Sequence, residues 1–242
     1  MAKSLKIYPK QEVPVQAETA VEGFDSRNKK KYYFTETFLR RIVVIIVRFI
    51  FLFIARIQYH GVENLPREGP VVLAANHLTN FDVFPMQLIL PRPLFFIGKE
   101  ELFRNPIMDW ALRQLGAFPV YRGAHDEWAI QHALEVLEHG QVLAIFPEGK
   151  RSKGIGLRPA KSGAARLALG ANCPIVPVAV HGTQYMLRHF PHRSHVRIIV
   201  GKPIYPKPEE SQLALTDRIM YTIADMLPPE SRGVYSKRPP GF

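Results

Sequence analysis

Two short polar strings, about seventy residues apart, hold the residue types of this chain that could do chemistry. Residues 76–82 (NHLTNFD) place a histidine five positions before an aspartate, and residues 146–152 (FPEGKRS) join a carboxylate, a glycine and two cations. Each string begins at the end of an apolar run long enough for a strand, at residues 71–75 and 142–146. Because ligands of α/β proteins bind beyond the carboxyl ends of neighbouring strands, we expect both strings to line one cleft.

His77 and Asp82 have the chemistry of a general base and of the carboxylate that orients it. If a helix begins near Asn80 or Phe81, Asp82 lies in its first turn and can accept a hydrogen bond from Nδ1–H of His77. Nε2 is then free to take a proton, as in the base and orienting pair of a serine-type triad. No Ser or Cys stands beside the pair in a Gly-x-Ser-x-Gly setting. We therefore expect the activated hydroxyl to belong to a substrate.

Three cations of the chain are suited to bind an anion. Arg122 and Arg151, with Lys150 beside the latter, can hold a phosphate, because a guanidinium binds phosphate in bidentate fashion and stays charged. Gly149 lets the backbone approach a ligand closely. A base for a hydroxyl and a clamp for a phosphate together describe acyl transfer to a phosphate-bearing alcohol.

The strings resemble the motifs of the glycerolipid acyltransferase family, and within it those of the 1-acylglycerol-3-phosphate (lysophosphatidic acid) acyltransferases. The family's first motif, Asn-His-x-x-x-x-Asp, is matched by residues 76–82, and its third, Phe-Pro-Glu-Gly-x-Arg-Ser, by residues 146–152. Residues 116–122 (GAFPVYR) are similar to the second motif and residues 175–180 (IVPVAV) to the fourth. The resemblance runs from roughly Tyr59 to Tyr205. Two departures leave the acceptor open: Lys150 stands where Thr is more usual, and Pro119 lies inside the second motif.

The resemblance implies a reaction and a role for each motif residue. A fatty acyl chain would pass from acyl-CoA or acyl carrier protein to the free hydroxyl of lysophosphatidic acid, giving phosphatidic acid, with no metal and no bound cofactor. His77 would be the base and Asp82 its orienting group. The remaining candidates concern the substrates: Arg122 and Arg151 for the acceptor phosphate, Glu148 for orienting the acceptor or fixing Arg151, Gly149 for close approach, and Lys99 for the donor or the phosphate. Glu148 paired with Lys150 or Arg151 is the alternative for that carboxylate.

Other functions stay open on the sequence. A related acyltransferase could use another lysophospholipid, glycerol 3-phosphate or a non-phosphate lysolipid as its acceptor. A non-catalytic membrane protein that binds lipid is the alternative from a different class.

The basic residues indicate a membrane surface as a partner. The formal net charge is +11, for which nucleic acid is the generic partner, yet eight basic residues and one acid lie between Arg27 and Arg56, around an apolar stretch. Residues 42–55 contain one charge, Arg48, and a helix of this length spans about 21 Å, short of a bilayer core of about 30 Å. We expect an amphipathic helix lying on anionic lipids at the cytoplasmic face of the membrane, and no nucleic-acid partner. A tilted spanning helix and a buried helix of a soluble core are the alternatives.

Apolar runs that alternate with helical patterns predict an α/β fold, with a mostly parallel (mixed) sheet covered by helices. The runs lie at residues 71–75, 94–97, 117–121, 142–146, 175–180 and 196–200, and the helical patterns at 82–90, 106–115, 126–139, 160–170 and 209–226. We expect a polar segment at 1–33, a membrane-associated helix at 34–57, an acyltransferase domain at 58–229 and a loose tail at 230–242. A single cysteine, Cys173, excludes an internal disulfide. His189, His192 and His195 are interpreted as a basic rim rather than as a metal site.

Overall fold

The computed structural model describes residues 25–121, 126–186, 188 and 190–239. The chain divides into two compact units, residues 1–31 and 32–242. Within the described part of the first unit, Ser26–Lys29 form one short 3-10 helix that Asp25 caps. Three predictions fall on residues outside the described set: Arg122, His189, and most of the polar segment expected at residues 1–33.

The second unit is built on one seven-stranded sheet, with the strand order β1-β7-β6-β2-β5-β3-β4. The neighbours from β6 to β4 pair in parallel, β7 runs antiparallel to β6, and β1 runs parallel to β7. The mostly parallel mixed sheet predicted from the sequence is therefore confirmed. The strands are β1 (Ala55–His60), β2 (Val71–Ala75), β3 (Leu94–Lys99), β4 (Ala117–Val120), β5 (Val142–Ile145), β6 (Ile175–His181) and β7 (Ser194–Val200).

Six α-helices accompany these strands in the described part of the chain, and side chains with hydrogen-bonding oxygens start several of them. Thr37, Asn105, Asp126 and Ser211 each accept a hydrogen bond from a backbone N–H of the first turn, which satisfies donors that a helix leaves unpaired. The helices are α1 (Phe38–Ile54), α2 (Val83–Ile89), α3 (Pro106–Gln114), α4 (Glu127–Glu138), α5 (Gly163–Gly170) and α6 (Gln212–Met226).

Both faces of the central strand β2 are buried, which explains its unbroken apolar sequence. Val72 and Ala74 belong to a core shared with α4, α5 and α6. Val71, Leu73 and Ala75 point to the other face, where the core includes residues of α1 and α2. The layers on both faces leave the carboxyl edge of the parallel strands as the place where polar loops gather.

Helix α1 packs by one stripe and exposes the rest of its surface. The buried and half-buried positions recur at helical spacing, and they include Val44, Val47 and Phe51. At the amino-terminal end of the stripe, the buried Arg40 guanidinium donates hydrogen bonds to the Leu94 carbonyl and to the side chain of Gln87. Burial lowers the pKa of Arg40 to about 10. No helix in the described ranges combines the length and the apolar character needed to cross a membrane.

Two segments differ in structure from the expected boundaries. The apolar helix ends at Ile54 and the chain continues as β1, where a helix was expected up to residue 57. In the segment expected to be a loose tail, Gly233–Tyr235 form a 3-10 helix, and the Tyr235 ring packs against Tyr221 of α6. The tail is held because its backbone exchanges hydrogen bonds with Leu157, whose N–H donates to Ser231 and whose carbonyl accepts from Val234.

Candidate active site

The loop between β2 and α2 places the first polar string at the carboxyl edge of the sheet. β2 lies between β5 and β6, and all three run in the same direction. The Asn76 side chain fixes the start of the loop, because it accepts from the backbone N–H of Val180 at 2.7 Å and donates to the Val180 carbonyl at 2.9 Å. Asn76 therefore extends the contact between β2 and β6 by one residue and sets the direction in which His77 leaves the strand.

The structure brings His77 and Asp82 into direct contact. Nδ1 of His77 lies 2.8 Å from Oδ2 of Asp82. With Nδ1 donating to the carboxylate, Nε2 carries the lone pair and can accept a proton. The imidazole stacks on the ring of Phe146, with ring centroids 4.0 Å apart, and 13% of the His77 side chain is exposed. The geometry is that of a general base held by a carboxylate, with access to the cleft.

Asp82 is held by more groups than the histidine alone. It is 0% exposed, and Oδ2 also accepts from the backbone N–H groups of Leu78 at 2.7 Å and Thr79 at 2.9 Å. Oδ1 accepts from the hydroxyls of Thr79 at 3.2 Å and Thr183 at 2.6 Å. Five donors thus surround one buried carboxylate, which compensates for the loss of water around it.

Glu148 ties the second polar string to the first. Its carboxylate is 4% exposed, and it accepts from the backbone N–H of His77 at 2.8 Å and from that of Arg158 at 2.9 Å. Burial raises the pKa of Glu148, and these two hydrogen bonds oppose the shift. Within the described residues it forms no ion pair with Lys150 or Arg151, the alternative considered above. Glu148 fixes the backbone of His77, and its contact with a substrate stays a prediction.

Four cations surround the turn at Gly149. Gly149 has φ +66°, a conformation that favours glycine, and a side chain there would lie 3.7 Å from the methylene groups of Lys161. Arg158 and Lys161, which the sequence reasoning missed, are exposed, as are Lys150 and Arg151. In the described part of the chain, none of the four forms an ion pair. Their charge is therefore available to a ligand.

Lys99 lies at the carboxyl end of β3, two strands from β2 at the same edge of the sheet. It is 45% exposed and forms an ion pair with Glu101 at 2.6 Å. Its part in binding donor or phosphate stays a prediction. Among the residues that the structure describes, no group of three or more His, Cys, Asp or Glu is placed to hold a metal ion.

Sequence reasoning missed the residues that come from distant parts of the chain: Phe146 as a stacking partner, Thr183, Arg158 and Lys161. The apolar run before residues 146–152 gave a signal for Phe146, since the end of β5 must lie beside the end of β2. A threonine after the fourth motif carried no comparable signal.

The Acyltransferase family matches residues 56–181, more than half of the chain, and the chain belongs to this family. Two relatives illustrate the level of sequence identity, which is about 30% for both. The chloroplastic 1-acyl-sn-glycerol-3-phosphate acyltransferase BAT2 of Brassica napus is 32% identical over 152 residues, which cover 60% of this chain and 44% of that protein. The 1-acyl-sn-glycerol-3-phosphate acyltransferase of Bacillus subtilis is 30% identical over 151 residues, 62% of this chain and 74% of that protein. The chain thus spans less than half the length of the plant relative.

A solved structure shows the same fold. The crystal structure of the 1-acyl-sn-glycerophosphate (LPA) acyltransferase PlsC from Thermotoga maritima superposes with a TM-score of 0.63 at 25% sequence identity. The match covers 76% of this chain and 78% of that one. The family resemblance seen in the sequence is therefore confirmed.

Proposed function

We propose that this protein transfers a fatty acyl chain from a thioester donor, acyl-CoA or acyl carrier protein, to the free hydroxyl of 1-acylglycerol 3-phosphate, giving phosphatidic acid. The observation that carries the proposal is the contact of 2.8 Å between Nδ1 of His77 and the buried Asp82 carboxylate. Membership of the Acyltransferase family and the names of the relatives support it.

The reaction follows from the geometry of the pair. Nε2 of His77 takes the proton of the acceptor hydroxyl as its oxygen attacks the thioester carbonyl carbon. Asp82 stabilises the imidazolium that forms, because its negative charge faces Nδ1. The tetrahedral oxyanion then collapses, the carbon–sulfur bond breaks, and the imidazolium returns the proton to the leaving thiolate. Each bond change uses groups of the substrates and of His77, so the proposed reaction needs no metal and no bound cofactor.

The cations around Gly149 support a phosphate-bearing acceptor. Residues 146–161 contain one acid, Glu148, whose raised pKa and burial reduce its competition for cations. Arg151 and Lys161 can approach a phosphate together with the backbone at Gly149, and a guanidinium offers paired donors. The roles of Arg122 and Lys99 in the same clamp belong to this proposal.

An apolar cleft between α1 and α2 supports a fatty substrate. Val83 and Phe84, which line it, directly follow Asp82 in the chain. Val44 and Val47 of α1 form the facing wall. Apolar walls of this kind favour a hydrocarbon chain over a polar ligand.

An assay of thiol release with two donors and several acceptors tests the proposed reaction. Acyl-CoA and acyl carrier protein are each combined with 1-acylglycerol 3-phosphate, 1-acylglycerol, lysophosphatidylcholine and glycerol 3-phosphate. We expect thiol release with the first acceptor and its loss with 1-acylglycerol, which lacks the phosphate. Equal rates with these two acceptors would refute the phosphate clamp. If no combination of donor and acceptor released thiol, the proposed acyltransferase activity would be refuted.

We also propose that α1 lies on an anionic membrane, at the cytoplasmic face where such lipids are enriched. The side of α1 that faces away from the sheet carries large apolar residues, among them Ile45 at 67% and Phe49 at 61% exposure. Arg41 and Arg48 are exposed on the same helix and would contact lipid phosphates. Because the opposite stripe packs on the domain, the helix lies along the surface, as an interfacial helix does.

Co-sedimentation with vesicles tests this contact. The variant Phe49→Glu/Phe53→Glu should lose binding to vesicles that contain phosphatidylserine, because both side chains are exposed on α1. Leu213→Glu, which changes an exposed apolar residue of α6, is the matched control and should bind as the wild type does. Unchanged sedimentation of the α1 variant would contradict the proposal.

A further inference from the structure

The turn after β6 delivers a hydroxyl to the carboxylate of the proposed catalytic pair. Thr183 begins a 3-10 helix, Thr183–Tyr185, and follows Gly182, which has φ +97°. A side chain at Gly182 would overlap the backbone carbonyl of His195 in β7, so this position accepts only glycine. The position of Thr183 is therefore set by the packing of the turn on β7.

We propose that Thr183 is a positioning residue of the reaction, whose hydroxyl sets the orientation of Asp82 and, through it, the proton affinity of His77. The inference rests on the function proposed above for this pair. Thr183 is 1% exposed and its hydroxyl lies 2.6 Å from Oδ1 of Asp82.

The hydrogen bonds of Oδ1 show why this hydroxyl matters. The other donor to Oδ1 is the Thr79 hydroxyl, which comes from the same loop as the histidine. Its hydrogen bond is longer, at 3.2 Å. Thr183 is the one donor to Asp82, among the described residues, that comes from another part of the sheet. A short hydrogen bond to a charged acceptor is stronger than a hydrogen bond between neutral groups. At a buried site, no water molecule takes the place of the lost donor.

Removal of the hydroxyl changes the charge that His77 faces. The donated proton of Thr183 draws negative charge of the carboxylate toward Oδ1. Without it, more of that charge remains on Oδ2, which faces Nδ1 and stabilises the imidazolium. His77 should then stay protonated to higher pH, and the carboxylate should rotate more freely.

The groups that face the pair make this effect separable from others. From the loop after β5 come the Phe146 ring and the Glu148 carboxylate, which binds the backbone of His77 rather than its ring. From the turn after β6 comes the uncharged Thr183. Asp82 is the carboxylate that is hydrogen-bonded to the imidazole ring, and the charge interaction between Glu148 and His77 is common to the wild type and the variants, so a change in the titration of His77 on loss of Thr183 reports on Asp82.

The test compares Thr183→Val and Thr183→Ala, which remove the hydroxyl, with Thr183→Ser, which keeps it. The matched control is Thr216→Val in α6, where the hydroxyl of another buried threonine donates to the Gln212 carbonyl at 2.6 Å. The readouts are kcat and KM for the acceptor and, without any substrate, the titration of the His77 ring followed by NMR.

We expect Thr183→Val to lower kcat by about tenfold with KM changed less than about twofold, because a carboxylate that rotates more freely no longer holds the His77 ring in one orientation toward the acceptor hydroxyl. The midpoint of the His77 titration should rise by roughly half a unit to one unit. Thr183→Ser and Thr216→Val should keep the wild-type midpoint. Thr183→Ala gives the same comparison if the valine variant does not fold.

A wild-type midpoint in Thr183→Val or Thr183→Ala would overturn the inference, as would an equal shift in Thr216→Val. If the role of the hydroxyl were purely structural, its loss would reduce the fraction of folded protein. The midpoint of the His77 titration and the kcat calculated per folded molecule would then stay unchanged. Lack of thiol release by the wild type would refute the proposed reaction alone, since the titration of His77 still decides how Thr183 acts on the pair.

Discussion

The substitution Asp82→Asn removes the charge that faces His77 and keeps an oxygen for the donors on that side of the carboxylate. The amide oxygen can take the place of Oδ2, where it accepts from Nδ1 of His77 and from two backbone N–H groups. The amide NH2 then takes the place of Oδ1 and donates to the hydroxyls of Thr79 and Thr183, which can rotate to accept. We therefore expect the variant to fold and to keep the tautomer of His77.

In the proposed mechanism the cost of this substitution falls on the transition state, in which His77 becomes an imidazolium. Two unit charges about 4 Å apart attract by about 4 kcal/mol at an effective dielectric constant of about 20, so their loss should lower kcat by about a thousandfold. The assay is thiol release at saturating acceptor, with thermal unfolding measured on the same samples. Asp109→Asn in α3, which removes another buried carboxylate that pairs with Arg113 at 3.0 Å, is the matched control. A folded Asp82→Asn protein within tenfold of wild-type kcat would refute the role of the charge, and so would an equal loss in the control.

Three further predictions concern the surroundings of the pair. Arg151→Ala should raise KM for the acceptor by about tenfold and KM for the donor much less. The control variant Lys202→Ala, at the opposite edge of the sheet, should change neither KM value. Equal effects of Arg151→Ala on both KM values would contradict the phosphate clamp. Because burial raises the pKa of Glu148 above the ordinary 4.5, its contribution to stability is present below that pH and is lost as the pH rises through the raised pKa. The unfolding free energy of the wild type, measured in urea against Glu148→Gln, should therefore fall relative to the variant as the pH rises above 4.5, and a constant difference would refute this. Tyr235→Phe removes the oxygen that accepts the Ala160 N–H at 3.0 Å, and should cost about 1 kcal/mol of unfolding free energy; unchanged denaturation would show that the tail does not hold the loop.

The fold could be predicted from the sequence where the pattern is local. The buried strands β2 and β5 are unbroken apolar runs, and α4 has an N-cap at Asp126 and a terminating Gly140, so their limits were visible within the chain. Strand β1 was missed because it follows α1 directly and alternates polar with apolar residues at the edge of the sheet. Its pairing with β7, far along the chain, decides that it is a strand.

The site divides in the same way between local and distant contacts. His77 and Asp82 are five residues apart, so a loop followed by a helix turn is enough to bring them together. Thr183 reaches the same carboxylate because β6 pairs with β2, and Glu148 reaches the backbone of His77 because β5 pairs with β2 on the other side. Such contacts depend on strand order and register, which no short motif contains.

The amino-acid composition of the C-terminal segment also did not predict that it packs against the rest of the domain. Residues 230–242 are rich in Pro, Gly and basic groups, which favours a loose tail when it is considered alone. The partners that hold it, Leu157 and Ala160, lie in the loop after the second polar string. That loop also supplies the Arg158 N–H that binds Glu148. The tail therefore supports the site indirectly, through its contacts with this loop.

The rate of thiol release by His77→Ala, with acyl-CoA and 1-acylglycerol 3-phosphate, tests the central claim most directly. The side chain is partly exposed in the cleft, so its removal should leave the protein folded, with wild-type circular dichroism. The proposed role as general base predicts a loss of at least about a thousandfold in kcat. A folded His77→Ala protein that releases thiol within tenfold of the wild-type rate would contradict the account.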